Sequence, residues 1–116
     1  MNLKRVYEPA ARGDGTRFLV ERLWPRGVSK GMARLNAGLK EAAPSDALRK
    51  WYGHDPKKWE EFRRRYFTEL SKTPESLTSV REAAKKGPVT LVFAATDPGL
   101  SNARALKEFL EQEGTG

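Results

Sequence analysis

The sequence predicts a small three-layer α/β domain with a mainly parallel sheet and elements in the order β-β-α-α-α-β-α. Three observations lead there. The run Val89-Thr90-Leu91-Val92-Phe93-Ala94-Ala95 is apolar at almost every position, the pattern of a strand covered on both faces by helices. Residues 16–22 are likewise apolar on both faces at their centre, with Phe18 and Val20 on one side and Leu19 on the other. Between these strands the chain twice places a capping residue before proline, at Asp55-Pro56 and Thr73-Pro74, a helix start in which proline's fixed φ suits the first turn. Strand, helices, strand is the order of a parallel crossover.

Each element has its own reason. Residues 3–7 are a first short strand, and residues 8–15 a loop turned by Pro9, Gly13, Asp14 and Gly15. Residues 16–22 alternate as a second strand, with Glu21 on the Leu19 side. Residues 27–43 fit neither a strand nor a helix period, since Ala33, Leu35, Ala37, Leu39 and Ala42 repeat at neither spacing; a loop with a helical turn is expected. Ser45, after Pro44, caps a short helix with Leu48, Trp51 and Tyr52 on its apolar side, ended by Gly53. The helix opened by Asp55-Pro56 runs to about residue 71, with Trp59, Phe62, Tyr66 and Leu70 on one stripe. Glu60/Arg64 and Glu61/Arg65 lie four apart, pairs worth about 0.2–0.5 kcal/mol each. The next helix carries Leu77, Val80, Ala83 and Ala84, and stops at Lys85-Lys86-Gly87-Pro88. After the strand at 89–95, Asp97-Pro98-Gly99 turns the chain into a last helix bearing Leu100, Ala103, Leu106, Phe109 and Leu110. Residues 114–116 are expected to fray.

Composition narrows the class. At 116 residues, the chain is expected to be one domain, residues 1–116, long enough to bury roughly two thirds of its unfolded surface. No apolar run approaches the ~18 residues of a membrane helix, and Met1-Asn2-Leu3-Lys4-Arg5 lacks the apolar core of a secretion signal. A soluble, cytoplasmic protein without membrane contact is expected. The absence of cysteine excludes disulfides, thiolate metal sites and a cysteine nucleophile. One histidine cannot make a usual zinc site by itself, so no metal is assigned. The net charge of +7 is lopsided: residues 1–58 hold 13 Lys/Arg against 6 Asp/Glu, and residues 59–116 hold 9 against 9. A basic half suits an anionic partner; it also suits an ordinary soluble surface.

In open α/β sheets ligands sit beyond the carboxyl ends of the strands. Two such ends are visible, at residues 21–26 and 96–102. The first reads Arg22-Leu23-Trp24-Pro25-Arg26-Gly27. Guanidinium groups offer a fixed fork of donors for carboxylate or phosphate, so Arg22 and Arg26 are candidate anion ligands; the plainer role is a salt bridge to Glu21, Asp55 or Asp97. Trp24 is a candidate stacking face, or a ring packed on the core between arginine stems. His54, in a tight link between helices, has a titration range suited to acid–base work, or holds the turn by a hydrogen bond. Asp97, at the end of the buried strand, is a candidate catalytic carboxylate or a plain turn cap. Ser101 and Asn102 open the last helix, where backbone N–H groups favour anions and where ordinary capping is equally served. Arg63-Arg64-Arg65 looks like a nucleic-acid patch, but three successive helical residues point about 100° apart and span roughly 200°, which favours a solvated face. No phosphate loop, dinucleotide fingerprint or nucleophile elbow is present.

Taken together, Arg5-Val6-Tyr7, the Asp14-Gly15 turn, the run from Leu19 to Gly27, Ala43-Pro44-Ser45, the block Leu48-Arg49-Lys50-Trp51-Tyr52-Gly53-His54-Asp55-Pro56 and Val89-Thr90-Leu91 resemble the domain-of-unknown-function 488 family, in its short YeaO-like branch. The resemblance covers about residues 3–112. It implies an α/β domain and no particular reaction or cofactor. Arg22, Trp24, Arg26, His54 and Asp55 match the family motifs and carry any inherited role. Two places depart from the pattern: the family's usual Asp and Trp are missing from Asn36-Ala37-Gly38-Leu39, and its usual Lys and His are missing around Asp97, which is kept. The departures imply that any chemistry those residues supply in relatives is lost or altered here.

Three readings follow. A small anionic ligand could bind where Arg22, Arg26 and Trp24 face His54 and Asp97, with or without turnover. The basic first half could bind nucleic acid, ranked second for want of a recognisable motif. Or the motifs could serve an interaction module in which Trp24, Trp51 and Trp59 form one aromatic core. Cofactor use and oligomeric state are not specified by the sequence.

Overall fold

The structure, a computed structural model, describes residues 1–114. It is an α/β domain with a four-stranded parallel sheet of order β1-β4-β2-β3. In chain order the strands are β1 (Asn2–Arg5), β2 (Thr16–Leu19), β3 (Ala37–Gly38) and β4 (Val89–Phe93). The helices are the single turn α1 (Lys30–Ala33), then α2 (Asp46–Tyr52), α3 (Trp59–Lys72), α4 (Thr78–Lys86) and α5 (Asn102–Gly114). Gly114 closes α5, so of the tail expected to fray, residues 115–116 lie outside the described residues.

All five residues of β4 are buried, as its apolar run demands, and it lies between β1 and β2. Val89, Leu91 and Phe93 face the same side as Phe18 and Val20, and meet Leu48, Phe62, Tyr66, Leu77, Val80 and Leu106 of the helical layer. Val92 and Leu19 face the other side and meet Ala33, with Val28 and Leu35 packed against them. The layers are therefore unequal: α2–α5 cover one face, while α1 and its flanking loops thinly cover the other. Burying a large apolar side chain stabilises by ~1.5–3 kcal/mol, so most of the core's contribution comes from the helical side.

The thin side is held by charge. Asp14, 7% exposed, receives Lys4 Nζ at 2.9 and 3.1 Å, Arg17 at 2.6 Å and the Ala11 amide at 3.0 Å. Arg17 also donates twice to the Ala33 carbonyl, and Thr90 Oγ1 donates to the Asp14 carbonyl at 2.8 Å.

The expected starts and stops hold in part. Ser45 Oγ accepts from the Leu48 amide at 3.2 Å, and Gly53 ends α2 at φ 52°. Asp55 accepts from the Lys57 amide at 3.0 Å, but the turn it opens, Pro56–Lys58, is a 3-10 turn that leads into α3. Thr73 does not cap: its hydroxyl points back to the Glu69 carbonyl. Pro74–Leu77 is therefore another 3-10 turn and α4 begins only at Thr78. The expected loop with a helical turn at 27–43 contains α1 and also the edge strand β3, which was not expected.

Candidate functional site

Regular β2 ends at Leu19 rather than running to Arg22, and the reason builds the site. Val20 N–H still donates to Val92 at 2.9 Å, but from there side chains replace the ladder. Asn102 Nδ2 donates to the Val20 carbonyl at 2.6 Å, and Glu21 Oε1 accepts from the Ala94 amide at 3.0 Å. Beyond these carboxyl ends lies a cleft of about 760 Å³, within the range of small-molecule sites. Arg22, His54, Asp97 and Asn102 line it, together with Glu21, Arg49, Lys50 and Tyr52.

Among the described residues Arg22 makes no salt bridge. Its Nε donates to the Pro44 carbonyl at 2.7 Å and its Nη2 to the Ala43 carbonyl at 3.2 Å. The same segment is held from α3: Tyr66 OH donates to the Ala42 carbonyl, and Glu69 accepts from Ser45 N–H at 2.9 Å and from Ser45 Oγ at 2.5 Å. Arg22, Tyr66 and Glu69 thus fix four successive residues, 42–45, as one wall of the cleft. Carbonyls bear no net charge, so Arg22 keeps its full charge, and three of a guanidinium's five N–H donors remain unused by these bonds. The carboxylates of Glu21 and Asp97 line the same cleft without ion-pairing to Arg22, Arg49 or Lys50 among the described residues. Arg49 has an exposed contact to Asp46 at 3.4 Å, and Lys50 has no ion pair among the described residues.

Glu21 is half-buried, and burial pushes its carboxyl above the ordinary value, against the pull of the Ala94 N–H and the Arg49 charge. Tyr52 OH donates to the Leu100 carbonyl at 2.9 Å, and its ring stacks on Phe62 at 4.1 Å to form the cleft floor. Burial, followed by the charges of Asp97 and Asp55, raises the Tyr52 hydroxyl too.

The remaining candidates divide. Asp97 Oδ1 accepts from the Gly99 amide at 2.9 Å, so this cleft-lining carboxylate also caps the turn. Ser101 is fully buried; its hydroxyl donates to the Pro98 carbonyl at 2.8 Å and accepts from the Arg104 amide at 3.2 Å. It does not line the cleft and acts as a cap. Trp24 is 45% exposed, with Nε1 donating to the Val28 carbonyl at 2.5 Å. It lines a smaller pocket of about 330 Å³ with Lys30 and Leu35, which shares Glu21 and Arg22 with the main cleft. Arg26 lines neither pocket; its carbonyl receives the Tyr7 hydroxyl at 3.2 Å.

The single aromatic core expected of the three tryptophans does not form. Trp59 joins Tyr52 and Phe62, Trp51 lies under Arg65 and Lys58, and Trp24 stands apart. The arginine run is paired: Arg63 with Glu108 at 3.1 Å, and both Arg64 and Arg65 with Glu61. Arg64 therefore leaves Glu60 for the nearer Glu61. Among the described residues no three His, Asp or Glu side chains gather as metal ligands, and no helix is long and apolar enough to cross a membrane.

His54 is exposed at the rim and has a left-handed backbone, φ 58°, directly after left-handed Gly53. A side chain there is strained by about 1–2 kcal/mol. Glycine should therefore exceed alanine in stability at position 54 by about 1 kcal/mol, the reverse of their order at a helical site. Urea melts of His54→Gly and His54→Ala check this.

The missed residues had a signal. Glu21 is a carboxylate at the end of an apolar strand, and Arg49-Lys50 sit inside the block that carries the family resemblance.

The sequence comparisons agree with that resemblance. A family model described as "Inactive DUF488-N3 subclade" matches residues 1–115. The uncharacterised protein YeaO of Escherichia coli is 38% identical over 107 residues, covering 92% of this chain and 93% of that one. The uncharacterised proteins Mb3100c of Mycobacterium bovis and Rv3073c of Mycobacterium tuberculosis are each 37% identical over 110 residues, covering 95% of this chain and 92% of theirs. No solved structure matches. On a match that spans nearly its whole length, the chain belongs to the family described as the inactive DUF488-N3 subclade of DUF488.

Proposed function

We propose that this protein binds a small anionic ligand in the cleft at the carboxyl ends of β2 and β4, as a binding module without turnover. The observation that carries the reading is the set of cations on the cleft wall: Arg22 is anchored by neutral carbonyls, and Arg49 and Lys50 stand beside it. Anchoring lowers the entropy lost when a guanidinium grips a ligand, and neutral carbonyl anchors do not cancel its charge. The family description points away from catalysis, and so does the use of Asp97 as a turn cap. His54 is then a rim donor rather than a proton shuttle.

Titration of the labelled protein with inorganic phosphate at low salt tests this. Amide shifts should concentrate at Arg22, Arg49, Lys50 and His54. The double variant Arg49→Ala/Lys50→Ala should bind at least about tenfold more weakly, as expected for losing one or more charge-assisted hydrogen bonds. Shifts scattered over the surface, or none, would remove the proposal.

A further inference from the structure

Resting on that anion-binding reading, we infer that the ligand is a nucleotide, with its base on Trp24, its ribose beside Glu21 and its phosphate among Arg22, Arg49 and Lys50. The two pockets adjoin. Both are lined by Glu21 and Arg22, so they meet at one wall, with Trp24 and Lys30 on one side and Arg49, Lys50 and His54 on the other. A cleft of about 760 Å³ beside a pocket of about 330 Å³ offers far more room than an inorganic anion fills.

The chemistry changes along this path in the order a nucleotide requires. Trp24 is the exposed tryptophan, and its Nε1 bond to Val28 fixes the orientation of the ring. An exposed, oriented indole beside cations is a stacking platform for a flat ring. Glu21 stands at the junction. Its Oε1 is taken by the Ala94 amide, and Oε2 has no partner among the described residues. A carboxylate at a strand's carboxyl end is well placed to accept a ribose hydroxyl. Beyond it lie the guanidinium of Arg22 and the cations of α2, where charge-assisted bonds to phosphate oxygens can form. A bare anion would use only the last of these features, and leaves the exposed Trp24 and the free oxygen of Glu21 unexplained.

The test is a set of titrations followed by amide shifts and by the Trp24 indole resonance, using inorganic phosphate, ribose 5-phosphate and adenosine 5′-monophosphate. The monophosphate should bind about 5- to 150-fold more tightly than ribose 5-phosphate, the range expected for one base–aromatic stack. Trp24→Ala should abolish that advantage and leave the binding of phosphate and ribose 5-phosphate unchanged. Trp24→Phe, which keeps a ring, should retain most of the advantage. If the monophosphate binds no more tightly than ribose 5-phosphate, or if Trp24→Ala weakens all three alike, the nucleotide assignment is wrong and the anion site stands. If none of the three perturbs the cleft, the underlying anion reading itself falls. A tetranucleotide bound more tightly than the monophosphate would identify a nucleic-acid strand as the source of the nucleotide; equal or weaker binding would identify the free molecule.

Discussion

Replacing Asp14 by alanine should destabilise the protein by about 3–5 kcal/mol, because it strands the buried Arg17 cation and removes the anionic partner of the half-buried Lys4. Lys4 and Arg17 both end on this carboxylate, and the Arg17 side chain is 4% exposed. Typical domains are stable by only ~5–15 kcal/mol, so the loss would take a large share of the total. Urea unfolding at neutral pH measures it directly. The cost arises from stranded charge rather than from lost volume. Replacing Lys4, Asp14 and Arg17 together by apolar residues of similar size should therefore recover much of the loss, and failure to recover would put the contribution in packing instead.

The same group sets an acid limit. Burial would raise the Asp14 carboxyl, but hydrogen bonds from Lys4, the Ala11 amide and Arg17 outweigh burial and hold it below its ordinary value. A carboxyl held down in the folded state contributes stability that is complete above its unfolded pKa and is lost as pH falls through its folded one. The native protein should accordingly lose stability below about pH 4.

What could be read from the sequence was whatever depends on periodicity and local caps. The apolar run of β4, the two-sided pattern of β2, the stripe Trp59, Phe62, Tyr66, Leu70 and the Ser45 and Asp55 caps are local signals, and the structure reproduces them. β3 was illegible because Ala37 and Gly38 make too short a run to alternate and include no β-branched residue. Its existence depends on Asn36 and Leu39 amides reaching β2 carbonyls, a tertiary event. Arg22 was correctly placed at a strand end, but its partners are backbone carbonyls 21 and 22 residues further on, and no side-chain pattern encodes those. Glu21 stood visibly at the end of an apolar strand, but its bond to the backbone of Ala94 across the sheet was hidden for the same reason. At the site, side chains replace ladder hydrogen bonds, and sequence patterns register ladders far better than their substitutes.

Gly15→Ala should be the most damaging substitution that changes no charge. Gly15 has φ 65° and ψ −135°, a region essentially reserved for glycine. A Cβ there would stand 2.1 Å from the Pro88 carbonyl oxygen and 2.7 Å from its carbon. Both are backbone atoms, so no side chain can swing aside. That same oxygen accepts the Thr16 amide at 3.0 Å, the bond that seats β2 beside β4. Alanine must therefore push the two strands apart where their register begins. Backbone strain of ~1–3 kcal/mol and overpacking of ~1–3 kcal/mol add to an expected loss of about 2–6 kcal/mol. Gly13 is the control: a Cβ there meets nothing within 4 Å, and Gly13→Ala should stay within about 0.5 kcal/mol of the parent. Hydrogen exchange adds the spatial readout. In Gly15→Ala the Thr16 and Val20 amides should lose protection before those of α3, because the damage enters through the β2–β4 seam. The cleft residues Glu21 and Arg22 hang on the far end of that seam, so the fraction that still folds should also bind phosphate less tightly, whereas Gly13→Ala should bind it as the parent does.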